Sequence, residues 1–225
     1  MMDMSRRQFC IAGGAAAIAA AAGGVGFLAR ESAEVVYLRP PGTESEADLL
    51  AKCDRCQRCV QVCPYNLVQP RPLSLDFPTV GTPELVFKNG YCDFCMKCME
   101  VCPTGALSLQ APTAYDIGTA KVISDACVAW DWQGCTICAD ECPVEGAIVL
   151  DDRGRPHVDE GLCDGCGLCE QVCPAPSLRA YNSASAEKGI YVVSLSSQAA
   201  AAAGAITTEQ FRTERHRRSE GGGCE

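Results

Sequence analysis

The chain has 225 residues, with 28 acidic and 19 basic side chains and a formal net charge of −9 at pH 7. That acidic balance argues against a nucleic-acid partner, which calls for a basic face. Aromatic residues make up only 6% while 18 residues are cysteine, so little sequence is left to build a large apolar core, and the length allows one or two domains.

Ser5-Arg6-Arg7-Gln8-Phe9 is a twin-arginine pattern, read in bacteria as an export address. Ile11 to Ala29 follows without a charge over nineteen residues, fourteen of them Ala or Gly. Such weakly apolar character suits an export signal better than a committed membrane span. An anchor with arginines on its cytoplasmic flank is the alternative. No clean A-x-A cleavage site is present, and nineteen uncharged residues are just enough to span a bilayer if the helix is retained. Residues 1–33 are therefore expected to be a twin-arginine signal or anchor. The rest is placed in the periplasm or on the outer face of the cytoplasmic membrane, tethered there if the signal stays. Cys10 reads as a bystander thiol.

The lead-in Leu38-Arg39-Pro40-Pro41-Gly42 should be extended or polyproline, because each Pro restricts the residue before it. Glu44 to Lys52 reads as a short helix delivering Cys53. From there Cys53, Cys56, Cys59 and Cys63-Pro64 stand at C-x2-C-x2-C-x3-C-P, the bacterial ferredoxin spacing for a 4Fe-4S cluster. Cys92, Cys95, Cys98 and Cys102-Pro103 repeat it, as do Cys163, Cys166, Cys169 and Cys173-Pro174. Cys127, Cys135, Cys138 and Cys142-Pro143 repeat it with the first gap widened to seven residues. These sixteen thiols are the expected ligands of four 4Fe-4S clusters, which act as core, so the metal-free chain should be poorly folded.

Zinc is the first competing reading, but structural zinc sites use two cysteine pairs split by a longer spacer. A disulfide framework is the second, and it sits badly with an export route that carries folded protein. Sixteen naked thiols threaded unfolded into an oxidising space would form disulfides instead.

Between the runs lie 28, 24 and 20 residues. Pro70, Pro72, Pro78 and Pro83 make the first gap mostly loop. Gly105 to Leu109 and Lys121 to Ile123 are expected to form one hairpin. Gly146 to Leu150 and Pro156 to Val158, around an Asp/Gly turn, form another. Each run should lead into a short helix near its Cys-Pro, since Pro suits the first helical turn. Trp130 and Trp132 in the wide gap either shield that cluster or simply pack. Ile190 to Leu195 reads as a strand. The Ala-rich Gln198–Ala205 reads either as a helix or as part of a tail, and the basic stretch around His216 and Cys224 reads as tail. The expected fold class is thus α+β and loop-rich: two bacterial-ferredoxin-like units of short helices and small hairpins packed on clusters. The expected divisions are residues 1–33, a four-cluster region at 34–180 and a C-terminal strand with tail at 181–225.

In two-cluster ferredoxins the fourth Cys of each run ligates the other cluster, so runs work in pairs. The short last gap favours sequential pairing; a nested arrangement, first with fourth and second with third, fits about as well. Charge is uneven. Residues 44–122 hold nine acids and seven bases, net −2, and residues 125–170 hold eleven acids and two bases, net −9. Lys52, Arg55 and Arg58 flank the first run, whereas Asp140, Glu141, Asp164 and Glu170 flank the third and fourth. Positive charge favours the reduced cluster, so the first-run cluster is expected at the higher potential. No nucleophile with a base and no phosphate loop is visible. The chain is expected to be an electron-transfer subunit without a catalytic site of its own.

The twin-arginine start, the Leu38–Gly42 segment, the four runs and the wide third run with Gln133-Gly134 together resemble the NapG/MauM ferredoxin-type proteins over most of residues 5–180. The resemblance implies an accessory electron carrier on the outer face of the cytoplasmic membrane. Its implied partners are a polytopic quinol-oxidising iron-sulfur protein and an exported reductase or its cytochrome. The alternative is the iron-sulfur subunit of a molybdopterin oxidoreductase complex.

Overall fold

The computed structural model describes residues 37–73, 77–88, 90–131, 134–178 and 187–194. The twin-arginine segment, Cys10, Trp132, Gln133, His216, Cys224 and the Ala-rich stretch lie outside them. Among the described residues no helix is long and apolar enough to cross a membrane.

The lead-in is built into the structure rather than hung from it. Tyr37, Leu38 and Arg39 are buried. Leu38 accepts the Leu85 N–H at 2.8 Å, and Gly42 is bonded to both Thr113 and Ser108. Gly42 has a positive φ, and a Cβ there would lie 2.3 Å from the Met99 sulfur, so this close approach requires glycine. The buried Arg39 guanidinium reaches Glu46, Thr82 Oγ1 and the Pro83 carbonyl.

Helix α1 (Glu46–Lys52) is capped by Ser45, whose Oγ accepts the Asp48 N–H at 3.1 Å. Glu46 and Asp48 in its first turn and Lys52 in its last complement the helix dipole. It buries Leu49 completely and ends at Cys53, as the sequence predicts.

The helices of the runs sit elsewhere than expected. Helix α2 (Arg58–Val62) and helix α3 (Lys97–Glu100) lie inside runs one and two, before the final Cys-Pro rather than after it. Helix α4 (Val128–Asp131) fills the widened gap of run three, and helix α5 (Ile137–Asp140) follows within that run. Helix α6 (Leu168–Val172) lies inside run four, and among the described residues only helix α7 (Ala175–Leu178) follows a Cys-Pro. The reason is steric. A residue before Pro is driven out of the α region, so the fourth cysteine stops the helix; Cys63 and Cys173 are extended.

Among the described residues, strands pair in three two-stranded antiparallel sheets. β1 (Val68–Pro70) pairs β2 (Pro83–Leu85) in the proline-rich first gap, where the sequence suggested loop. Its prolines fit because Pro70 and Pro83 face each other at one end of the ladder, where a missing donor is tolerated. β4 (Ile148–Leu150) and β5 (Pro156–Val158) form the expected hairpin. β3 (Gly118–Val122) does not pair with Gly105–Leu109, which forms no strand. It pairs β6 (Ile190–Ser194) over five residues, from Gly118↔Ser194 to Val122↔Ile190. The late strand is thereby part of the four-run fold.

Three apolar clusters result among the described residues. Leu38, Leu67, Val68, Leu85 and Phe87 meet Ile117 and Val192; Leu49, Met99, Ala106 and Leu107 form a second; Ala120, Ile148 and Ile190 form a third with Cys138 and Cys169. Cysteines pack against every one of them, so the thiols are continuous with the core.

Candidate iron-sulfur sites

Three of the runs begin Cys-Asp-x-Cys-x, and this local sequence dictates the loop. The Asp carboxylate accepts the N–H of the second cysteine: Asp54 from Cys56, Asp93 from Cys95 and Asp164 from Cys166, at 3.2, 3.1 and 2.9 Å. The two x positions are left-handed, namely Arg55 and Gln57, Phe94 and Met96, Gly165 and Gly167. Four of these six are not glycine, at a cost of about 1 kcal/mol or more each. Held this way, the amides two residues on turn back to the sulfurs: Phe94 to Cys92, Lys97 to Cys95, Gly165 to Cys163 and Leu168 to Cys166.

The runs pack in sequence, α2 against α3 and α5 against α6, and their sixteen thiols face four recesses of about 300–400 Å³. Site I takes Cys53, Cys56 and Cys59 from run one with Cys102 from run two. Site II takes Cys63 with Cys92, Cys95 and Cys98. Site III takes Cys142 with Cys163, Cys166 and Cys169. Site IV takes Cys127, Cys135 and Cys138 with Cys173. Three cysteines of one run and the fourth of its partner line each recess, so pairing is sequential and the nested arrangement does not occur.

This donor set fits the predicted cofactor better than the alternatives. None of the sixteen cysteines is joined to another in a disulfide. Among the described residues no three His, Cys, Asp or Glu donors converge closely enough to hold a single metal ion. Tetrahedral zinc needs every sulfur about 2.3 Å from one centre. Sulfurs spread over the walls of a recess instead suit a cluster whose irons each take a different thiolate.

Burial pushes the Cys59 thiol up to about 11, and Cys92, Cys98, Cys138 and Cys166 up to about 12, with neighbouring cysteines adding to the effect. Cys102 runs the other way. Burial opposes it, but the Leu107 N–H, then Thr104, then the Ala106 N–H outweigh burial and hold it below its ordinary value. A pH dependence of the metal-free protein follows. Below about pH 8.5 these thiols are neutral folded or unfolded. Above it the unfolded chain ionises first, so stability falls as pH climbs toward the raised folded values. Circular dichroism of iron-free protein, kept anaerobic, should show less residual ordered structure at pH 10 than at pH 7.5. Equal or greater structure at pH 10 contradicts it.

The expected basic flank of the first run is present and fixed. Arg55 donates to the Val80 and Pro78 carbonyls at 2.9 and 2.8 Å, and Arg55 and Arg58 both line site I. Replacing the two with Glu should lower the potential of one cluster in a redox titration read by electron paramagnetic resonance. A titration in which no signal moves down rules out the charge effect.

Trp130 is not among the residues that line site IV. It stacks near His157, with ring centroids 5.9 Å apart, and lies under the Arg155 guanidinium. The sequence reading missed the remote amides that reach the sulfurs. Leu107 donates to Cys102 at 3.4 Å, Ala120 to Cys163 at 3.4 Å and Gly189 to Cys173 at 3.2 Å. Backbone donors carry no residue signature, so no motif marks them.

Two run pairs, each exchanging its fourth cysteine, define a protein of the two-cluster 4Fe-4S ferredoxin class. A family model described as a 4Fe-4S dicluster domain matches residues 52–106 and 126–176, one copy on each pair. The chain is 35% identical over 154 residues to the methylamine utilization ferredoxin-type protein MauM of Methylorubrum extorquens, covering 63% of this chain and 70% of that one. It is 34% identical over 178 residues to the ferredoxin-type protein NapG of Escherichia coli K12, covering 72% and 76%. It is also 32% identical over 146 residues to the ferredoxin-type protein NapF of that organism, covering 64% and 84%. The chain belongs to the NapG/MauM family of ferredoxin-type proteins, and its class of work is 4Fe-4S electron transfer.

Proposed function

We propose that the chain carries four 4Fe-4S clusters, held by the sixteen run cysteines in sites I to IV, and is a wire with no catalytic site of its own. The observation that supports this most is the crossed set of four thiols at each recess. When bound, such a cluster holds and releases one electron at a time. The chain's part is to place the four sites in order and set their surroundings.

That order is I, II, III, IV. Cys59 of site I and Cys98 of site II are near enough to interact electrostatically, as are Cys138 of site IV and Cys169 of site III. Between the pairs, the Cys92 N–H of site II donates to the Cys166 carbonyl of site III at 2.8 Å. Gly167 lies against the Phe87 ring, where a Cβ would come within 2.0 Å. Sites I and IV are then the ends at which partners dock.

The NapG and MauM relatives share only the words ferredoxin-type protein in their names, which supports a carrier and leaves the terminal enzyme to the rest of the system. On the family resemblance, we assign a polytopic quinol-oxidising iron-sulfur protein as donor and an exported reductase or its cytochrome as acceptor. Ser5-Arg6-Arg7 supports export by the twin-arginine route to the outer face of the cytoplasmic membrane. Anaerobic purification with iron and sulfide counted per chain tests the central reading. About sixteen of each are expected for four cubes; colourless protein carrying zinc ends it.

A further inference from the structure

The segment 187–194 lies outside both family-matched regions, yet it closes site IV. Gly189 and Ile190 line that recess with Cys127, Cys135, Cys138 and Cys173. The Gly189 N–H donates to the Cys173 sulfur at 3.2 Å, and its carbonyl accepts the Ile123 N–H at 2.8 Å. A Cβ on Gly189 would stand 2.6 Å from the Cys127 backbone, so only glycine lets the chain come this near. One residue earlier, the Lys188 ammonium donates to the Gln171 carbonyl at 3.3 Å, in the helix that leads to Cys173. Further along, the Val192 N–H holds the Glu170 carboxylate at 2.8 Å, fixing the segment against α6. Lys188 thus brings a positive charge to a region where residues 125–170 carry eleven acids and two bases.

We infer that Lys188 and Gly189 are positioning residues for site IV, and that together they raise the reduction potential of the cluster held there above that of site III. The physical cause is direct. An amide hydrogen bond to a ligand sulfur and a nearby positive charge both favour the more negative, reduced cluster. Site III has amides too, from Ala120, Gly165 and Leu168, so the difference lies in charge: its ligands stand beside Asp164 and Glu170 in the chain. The acidic half is therefore not uniform in potential, and its outer site is the easier to reduce. This rests on the reading that site IV holds a cluster.

The test is a redox titration of full-length, anaerobically prepared protein, read by electron paramagnetic resonance, with iron counted for every variant. Lys188→Gln keeps a donor for the Gln171 carbonyl and removes the charge. It should move one reduction step to lower potential, leave the others in place and retain all the iron. Lys188→Arg should restore the step. Gly189→Ala, which drives the strand off Cys127, should move the same step down or abolish it. Cys135→Ala, which breaks site IV, should delete that step and about four irons. With iron complete, a Lys188→Gln titration that superimposes on the wild type, or one in which every step shifts alike, overturns the inference alone. If Cys135→Ala leaves the iron count unchanged, the assignment of site IV fails and the inference with it.

Discussion

Changing Cys102 to Ala should empty the recess of Cys53, Cys56 and Cys59 and spare that of Cys92, Cys95 and Cys98, although Cys102 belongs to the latter run. The crossed lining of sites I and II requires it. The single variant loses about four irons per chain, one cube. Cys56→Ala should lose the same cube, because Cys56 shares site I with Cys102. Combining the two should remove no more iron than either alone, as expected for residues that act as one unit. Cys56→Ala with Cys95→Ala, by contrast, removes two cubes. Iron analysis with the spectra of the remaining clusters decides it. If Cys102→Ala and Cys56→Ala prove additive, the ligands are not crossed.

Stripping iron should abolish cooperative folding of the whole described region. The apolar groups are small, the second consisting of Leu49, Met99, Ala106, Leu107 and Ala114. Each recess is walled by four cysteines from two runs, so a cluster there ties two runs together, and metal binding of this kind is itself folding free energy. Anaerobic chelation followed by circular dichroism should show no sharp thermal transition. Iron-free protein that still melts cooperatively, with a midpoint near that of the loaded protein, refutes the idea that the clusters serve as core.

Much of this was legible in the residues because cysteine, proline and turn chemistry are local. The sixteen thiols, the capped helix ending at Cys53 and the Ile148–Val158 hairpin all follow from spacing and nearest neighbours. Pairing of the runs did not, since an eleven-residue motif says nothing of its partner. Sequence proximity pairs β3 with the nearest apolar segment, Gly105–Leu109, whereas its partner is β6, matched over five residues. Because Pro favours helix starts, the sequence places the helices after each Cys-Pro. The stronger effect is that the residue before Pro leaves the helix. Arg55, Gln57, Phe94 and Met96 adopt left-handed backbone that propensity disfavours, and only the ligand loop explains it.

The pairing of β3 with β6 has an outcome for any shortened form of the chain. A version stopped at residue 178 would keep all sixteen thiols and both family-matched regions, yet leave one side of Gly118–Val122 open. The carbonyls and amides of that strand would then face water as an exposed edge, which invites the same strand of a second copy. Such a form should clump, however well its motifs are preserved.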